Sequence, residues 1–253
     1  MNKILFILFC FPLIILAQQT LVPDDNFEAY LESNGMGNGV ANDDYVTTSS
    51  INTITTLDIN NMNIASLVGI EDFISLKFLY CGLNQLTLLD LSNNINLENL
   101  HCPENNITTV NFSNSMNISN VNCENNQISS LDISQNGLIE HLELKDNKLS
   151  YLNLKNGANA LLSHMRVTDN PNLNCISVDD SVWATNNWTI FQDIDPQHYF
   201  SEDCSGLTSI KENFINKEIL KVTDLLGRRT RKINQPLLYI YDDGTVDKKI
   251  VIE

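Results

Sequence analysis

Basic residues, proline, glycine, histidine and long apolar runs are all scarce in this chain, and each scarcity removes a class of protein. Fifteen Lys and Arg stand against 31 Asp and Glu, a net charge of −16. A body this acidic repels phosphate backbones, so no nucleic acid is expected as a partner. Six prolines and ten glycines in 253 residues are too few for a low-complexity linker. Histidine occurs only at His101, His141, His164 and His198, with no pair at metal-ligand spacing. No H-E-x-x-H motif, G-x-S-x-G motif or Gly-rich phosphate loop occurs. Acidic pairs are plentiful, but none is placed to face another across a cleft. The chain therefore reads as a non-enzyme without a cofactor. No stretch after residue 17 is apolar enough to cross a bilayer, so the mature chain is expected to have no membrane span.

The one strongly apolar run sits at the start. Asn2 and Lys3 are followed by Ile4 to Leu16, apolar apart from Cys10 and Pro12, and then by Ala17-Gln18. This is the pattern of a secretory signal peptide over residues 1–17. Phe9 directly before Cys10 does not suit a lipoprotein signal, which prefers small residues there. Removing the signal leaves Cys81, Cys102, Cys123, Cys175 and Cys204. An odd number in an exported chain means that at least one thiol stays free or pairs between molecules.

Internal repetition dominates the middle. Cys81, Cys102 and Cys123 lie 21 residues apart, and the spacing extends to other columns. Leu79, Leu100, Val121 and Leu142 share one phase; Leu86, Ile107, Ile128 and Leu149 share another. Asn84, Asn105, Asn126 and Asn147 form a polar column between them. Four units run 76–96, 97–117, 118–138 and 139–159; a longer unit precedes them at 54–75, where Met62 replaces the Asn. A degenerate unit begins near Met165, with Asn170 in the Asn place. The pattern L-x-x-L-x-(C/L)-x-x-N-x-(L/I)-x-x-(L/V)-x-(L/I/F) resembles the leucine-rich repeat. That resemblance implies a mainly β solenoid over 51–180. Successive short parallel strands stack at ~4.8 Å, and neighbouring turns complete each other's core. A second extended piece, such as Leu89-Asp90-Leu91, recurs in each unit, so two short strands per turn and little helix are expected. The intervening connections are long enough for turns or one 3₁₀ turn. Asn84 and its equivalents are expected to face inward and satisfy backbone groups of the turn. The cysteine column also accepts Ile59 and Leu144, so its members read as inert core residues rather than metal ligands or disulfides.

Both ends of a solenoid need covering. Residues 18–50 read as an N-terminal cap. Asp24 or Asp25 is placed to start a helix whose Phe27, Tyr30 and Leu31 share a face, and the stretch resembles the caps of secreted bacterial repeat proteins. The Gly/Asn/Asp loop at 33–44 contains Asp43 and Asp44, which raises the question of calcium, but its spacing departs from an EF-hand. At the far end, Asn170 to Ile176 departs from the 21-residue register. Residues 181–206 read as a C-terminal cap built on Trp183, Trp188, Phe191, Tyr199 and Phe200. Cys175 and Cys204 flank that segment, outside the cysteine column, and are expected to pair; closing such a loop contributes ~3–4 kcal/mol.

Composition changes again over 207–253. Residues 211–253 hold nine Lys and Arg against seven Asp and Glu. Strand-like runs alternate with turns at Gly227 and at Asp242-Asp243-Gly244-Thr245, giving a small β meander. The D-L-L-G-R run at 224–228, L-Y-I-Y-D-D-G-T at 238–245 and the closing K-K-I-V-I-E resemble the C-terminal sorting domain of the type IX secretion system. That resemblance implies the type IX machinery as a partner and a secreted or outer-surface location.

Function is therefore sought on the surface. Phe78, Tyr80, His101, Asn122, Glu143, Lys145 and Arg166 are expected to project from the first strands as a binding face for a protein or glycan. The competing expectation is a structural or adhesion component of the envelope with no discrete ligand, in which these are ordinary solvated strand residues. The second-strand file of Asp90, Asn111, Asp132 and Asn153 reads either as a cation or glycan ladder or as residues that keep an exposed strand soluble.

Overall fold

The computed structural model describes residues 18–188, 194–204, 219–224, 236–241 and 246–250. Residues 1–17, expected to be a signal peptide, Phe191 and the turns expected at Gly227 and 242–245 lie outside the described residues. The chain divides into two compact units, Met1–Cys204 and Ser205–Glu253.

In the first unit, β1 (Gln19–Leu21) pairs antiparallel with β2 (Tyr45–Thr47), with helix α1 (Asp25–Ser33) between them. The short helix α2 (Thr48–Ile51) leads into β3 (Thr56–Asp58), the first turn of a solenoid. From there two kinds of strand alternate: β4 (Phe78–Tyr80), β5 (Leu88–Asp90), β6 (Asn99–His101), β7 (Thr109–Asn111), β8 (Asn120–Asn122), β9 (Ser130–Asp132), β10 (His141–Glu143), β11 (Tyr151–Asn153), β12 (His164–Arg166) and β13 (Cys175–Ser177). Strands β3, β4, β6, β8, β10 and β12 form one parallel six-stranded sheet. On the other side β5 pairs with β7, and β9, β11 and β13 continue in a second sheet with β14 (Tyr199–Ser201). After α3 (Ser181–Trp188) the chain returns to lay β14 parallel to β13. Connections between strands are turns, with 3₁₀ turns at Ile70–Asp72 and Asn159–Leu161.

Three-residue strands explain the core. The middle residue points in and its neighbours point out. Leu57, Leu79, Leu100, Val121, Leu142 and Met165 are buried, followed two positions on by Ile59, Cys81, Cys102, Cys123, Leu144 and Val167. These side chains belong to one continuous hydrophobic cluster. Cys102 Sγ lies 3.1 Å from Cys123 Sγ. Hydrogen bonds with the Cys123 and Cys81 thiols, then burial, push the Cys102 thiol well above its ordinary range. A buried neutral thiol is an unreactive apolar side chain, as the column implies.

The asparagine column ties each turn to the one before. Asn126 is typical: Nδ2 donates to Cys123 O and Glu124 O of its own turn and to Cys102 O of the previous one, while Oδ1 accepts from Ile107 N. Asn84, Asn105, Asn147 and Asn170 repeat this arrangement. A second buried polar column runs under the other turn. Asn94 Nδ2 donates to Ile70 O and Phe73 O, Ser115 Oγ to Asn94 O, and Asn136 Nδ2 to Phe112 O and Ser115 O.

The residue before each Asn of the first column is left-handed. Leu83, Glu104, Asn125, Asp146 and Asp169 have φ between 52° and 61°. Leu83 is the costly one: a left-handed Leu loses roughly 1–2 kcal/mol, and its side chain is 51% exposed, so little burial offsets that. Leu83→Asn is expected to raise stability by about 1 kcal/mol, read as a higher urea midpoint. An unchanged or lower midpoint would contradict the strain argument.

Two aspartates close the ends of the hydrogen-bond ladder. In the first sheet the left-handed residue donates its N–H to the following turn: Leu83 to Pro103, Glu104 to Glu124, Asn125 to Lys145, Asp146 to Thr168. After Asp169 no further strand of that sheet follows, and Asp195 supplies the acceptors. Its Oδ1 and Oδ2 take the N–H groups of Asp169 and Asn170, each at 3.1 Å. At the other end Asp24 Oδ1 caps α1 through Asn26 N and Phe27 N, while Oδ2 accepts from Ala65 N and Ser66 N. The next turns satisfy the matching N–H groups with a preceding carbonyl, as Thr108 N does with Thr87 O.

The departure expected at Asn170 is a local expansion of the repeat. Ile176 pairs with Leu152 in register, 24 residues on instead of 21. Two of the extra residues enter before β12, since Met165 already pairs with Leu142 23 residues on, and the third enters after Asn170, which keeps its place in the column. Cys175 and Cys204 form a disulfide with Cα atoms 5.8 Å apart. Trp188 is buried, edge-on to Trp183 and Phe200 with ring centroids 5.5 and 5.4 Å away, so these aromatics form a lid. Tyr199 stands apart, exposed, because it points outward beside the inward Phe200 of the same strand.

Beside Asp195, His198 is buried and neither ring nitrogen makes a hydrogen bond of good geometry; Asp195 Oδ2 lies 3.5 Å from Nε2. Burial lowers its pKa, against opposing pulls from Asp195 and the Asn170 backbone. The unfolded imidazole protonates near its ordinary value of ~6.5, while the folded one resists until lower pH. Stability is thus expected to be intact above about pH 6.5 and to fall as the pH drops below it. His198→Asn should flatten that part of the melting-temperature profile, and an unchanged slope would count against this assignment.

The second unit contains β15 (Ile219–Asp224), β16 (Pro236–Tyr241) and β17 (Val246–Ile250), an antiparallel meander in that order.

Candidate functional site

Among the described residues, no group of three His, Cys, Asp or Glu side chains has metal-site geometry, and no helix is long and apolar enough to cross a membrane. Asp43 of the 33–44 loop accepts from Asn38 Nδ2 and Tyr45 N, and Glu28 and Glu32 accept backbone N–H groups of the same loop. These carboxylates brace the cap. The file on the second sheet also satisfies itself. Asn111 Nδ2 donates to Asp90 and Asn153 Nδ2 to Asp132, each at 3.1 Å. Burial disfavours the Asp132 charge, but bonds from Ser134 and Asn153 outweigh it and lower the carboxyl pKa. A hollow of about 310 Å³ beside β5 includes Glu71 and Asp90 in its lining, but Glu71 accepts from Gly69 N and Asp90 from Ser92 N and Asn111.

The outer face of the six-stranded sheet differs. Each strand presents its first and third residues, giving two adjacent rows. After Thr56 and Asp58 of β3, one is Phe78, Asn99, Asn120, His141 and His164; the other is Tyr80, His101, Asn122, Glu143 and Arg166. Of the residues expected from the sequence, Tyr80, His101, Asn122, Glu143 and Arg166 thus share one row and Phe78 begins the other. Lys145 lies beyond the end of β10, at 3.5 Å from Asp146 and 3.6 Å from Asp169. Asn99, Asn120, His141 and His164 were missed. The strand alternation that selected their partners two positions on also selects them.

The middle of this face is a shallow depression of about 290 Å³ lined by Asn99, His101, Asn120, Asn122, His141 and Glu143 over Leu100 and Val121. Tyr80 and His101 tilt against each other at one end, with ring centroids 6.1 Å apart. Glu143 bridges the other end, accepting from Asn122 Nδ2 at 3.3 Å and lying 3.4 Å from His164 Nε2. His141 and His164 are paired across β10 and β12, with centroids 5.8 Å apart. Arg166 lies 3.7 Å from Glu124. Asn99, Asn120 and Asn122 put side-chain amides at the centre, and the Glu143 carboxylate at its edge is engaged by Asn122 and His164, which suits recognition through hydrogen bonds better than acid–base chemistry.

No family model matches the chain, and no curated protein does. Solved structures do. The chain is similar to the functional domain of InlJ from Listeria monocytogenes, which includes a cysteine ladder, at 26% identity and a TM-score of 0.53 over 64% of this chain. It also matches an internalin, InlF, from the same organism, at 24% identity and a TM-score of 0.46 over 71% of this chain. The matches span 38% and 56% of those two chains. The first unit is a leucine-rich-repeat solenoid of the internalin-like kind, built of 21-residue units with little helix.

Proposed function

We propose that the chain is a secreted or cell-surface binding module whose six-stranded face recognises a protein or glycan. One observation carries this reading: the Asn99 amide and the His101 and His141 rings line a depression without hydrogen bonds among the described residues, and Asn120 there keeps its carbonyl oxygen open, whereas the amides of the inner columns are engaged with the backbone. The Cys175–Cys204 disulfide suits an oxidising, extracytoplasmic compartment. The functional domain of InlJ includes a cysteine ladder, and Cys81, Cys102 and Cys123 make a comparable file here.

The same proposal assigns residues 1–17 to a signal peptide, 18–50 and 181–206 to the caps, 51–180 to the repeats and 207–253 to a type IX sorting domain. Deleting 211–253 is the direct test of the last assignment, since unchanged export would remove it. For the face, the full chain is incubated with whole cells, envelope proteins and a glycan array. Saturable retention lost in the Tyr80→Ala, His101→Ala double variant supports recognition there.

A second reading, an envelope component without a discrete ligand, is favoured by a different feature. Ile74, Ile95, Met116, Leu138 and Leu161 are each about half exposed on successive outer turns, a file suited to side-by-side association. Retention unaffected by the double variant but lost in Ile95→Lys would favour that reading.

A further inference from the structure

We infer that the depression on the six-stranded sheet binds a neutral polysaccharide chain lying along the solenoid axis, with Asn99, Asn120, His101 and His141 reading its hydroxyls and Tyr80 covering one sugar ring. This rests on the reading of that face as a recognition surface.

The observation behind it is a contrast among asparagines of two adjacent repeats. Asn105 and Asn126 direct every amide atom at the backbone. Asn111 is held by Asp90 and Ser113. Asn99 lies half-buried at the rim of the depression, and its amide makes no hydrogen bond among the described residues. The His101 and His141 rings make ring contacts but no hydrogen bond there. Asn120 donates to Ser119 Oγ and keeps its carbonyl oxygen open. The site therefore offers donors and acceptors side by side, held on rigid strands.

Sugar hydroxyls are the groups that donate and accept at once, and a side-chain amide presents both roles to a pair of them. An aromatic ring at the end of such a row covers the C–H face of a pyranose. The rows repeat at the strand spacing of ~4.8 Å, which is about the length of one pyranose, so consecutive sugars meet equivalent positions on β4, β6, β8 and β10. Charge decides against anionic polymers. The chain carries −16, and Lys145 and Arg166 already face Asp146, Asp169 and Glu124. A protein partner is disfavoured by the centre of the depression, where amides stand in place of an aromatic or aliphatic anchor and Leu100 and Val121 are buried beneath them.

The test titrates the full chain calorimetrically with neutral gluco-, manno- and xylo-oligosaccharides as di-, tetra- and hexasaccharides, with polygalacturonate as the anionic probe and casein as the extended-protein probe. One neutral series is expected to bind, about tenfold more tightly as hexasaccharide than as disaccharide, and Asn99→Ala and Tyr80→Ala are each expected to weaken it about tenfold. Asn99→Ala should melt at the wild-type temperature, because the amide has no internal partner to lose, and Asp90→Ala on the other sheet should bind normally. Neutral binding unchanged in both face variants would place the sugar elsewhere and overturn the assignment. Casein binding that needs Asn99, with no sugar bound, would overturn the carbohydrate inference while upholding the face. No neutral sugar bound at all would also overturn it, and the Tyr80→Ala, His101→Ala retention measurement would then decide the face separately.

Discussion

Asn126→Ala is expected to lower the unfolding free energy by about 3–5 kcal/mol, because it orphans backbone groups in two turns at once. Its amide sits in the middle of the solenoid, only 4% exposed, with Cys102 O at 3.0 Å and Ile107 N at 2.9 Å in the neighbouring turn. Each buried group left unpaired costs about 1–3 kcal/mol, and water has no route to them. The break lies between turns, so cooperativity should suffer as well as stability: the denaturant transition is expected to broaden, with a smaller slope. Asn111→Ala on the outer file makes a fitting comparison. Its partners, Asp90 and Ser113, are exposed and half-buried and within reach of water, and a loss under about 1 kcal/mol is expected. Similar losses for the two variants would show that the inner column is not what holds the turns together.

Removing the Cys175–Cys204 link by a Cys175→Ser, Cys204→Ser pair is expected to cost about 3–4 kcal/mol by the entropy of the loop it closes, 29 residues in separation. The cost has a location. Everything the bond retains belongs to the C-terminal lid: β14 on β13, Phe200 against Trp188, and Asp195 on the last turn. Hydrogen exchange should therefore accelerate first at Asp169, Asn170 and β13, while β6 and β8 stay protected until global unfolding. A uniform increase along the whole solenoid would contradict a local role.

The core was legible because a coil of identical turns writes its contacts into one period. A residue that packs on its neighbour 21 positions away must recur, and Leu79 to Leu142 or Asn84 to Asn147 do so visibly. Helix α1 was legible from Asp24 and the spacing of Phe27 and Leu31. The second polar column was missed because Ser115 interrupts Asn94 and Asn136, so identity changes while the hydrogen-bonding role persists. Asp195 could not be read at all. It stands 25 residues beyond Asn170, outside any period, and its meaning is given only by the two N–H groups it meets. On the face, His141 and Asn99 escaped because attention to one outward position per strand hides the other, two residues earlier. Tail strands β15 to β17 follow from alternation and turn residues alone.

Asp24 and Asp195 make the span of this solenoid a matter of its ends. Every interior turn takes its acceptors from the turn after it and its anchors from the turn before, so no interior turn records its own ordinal place. Inserting or excising one whole unit, such as 97–117, leaves both aspartates with the same backbone partners and lengthens or shortens the outer face by a single strand. A lineage carrying this fold could thus change how many ligand positions it offers by gene duplication within the repeats, while mutation of either terminal aspartate would be felt at any length.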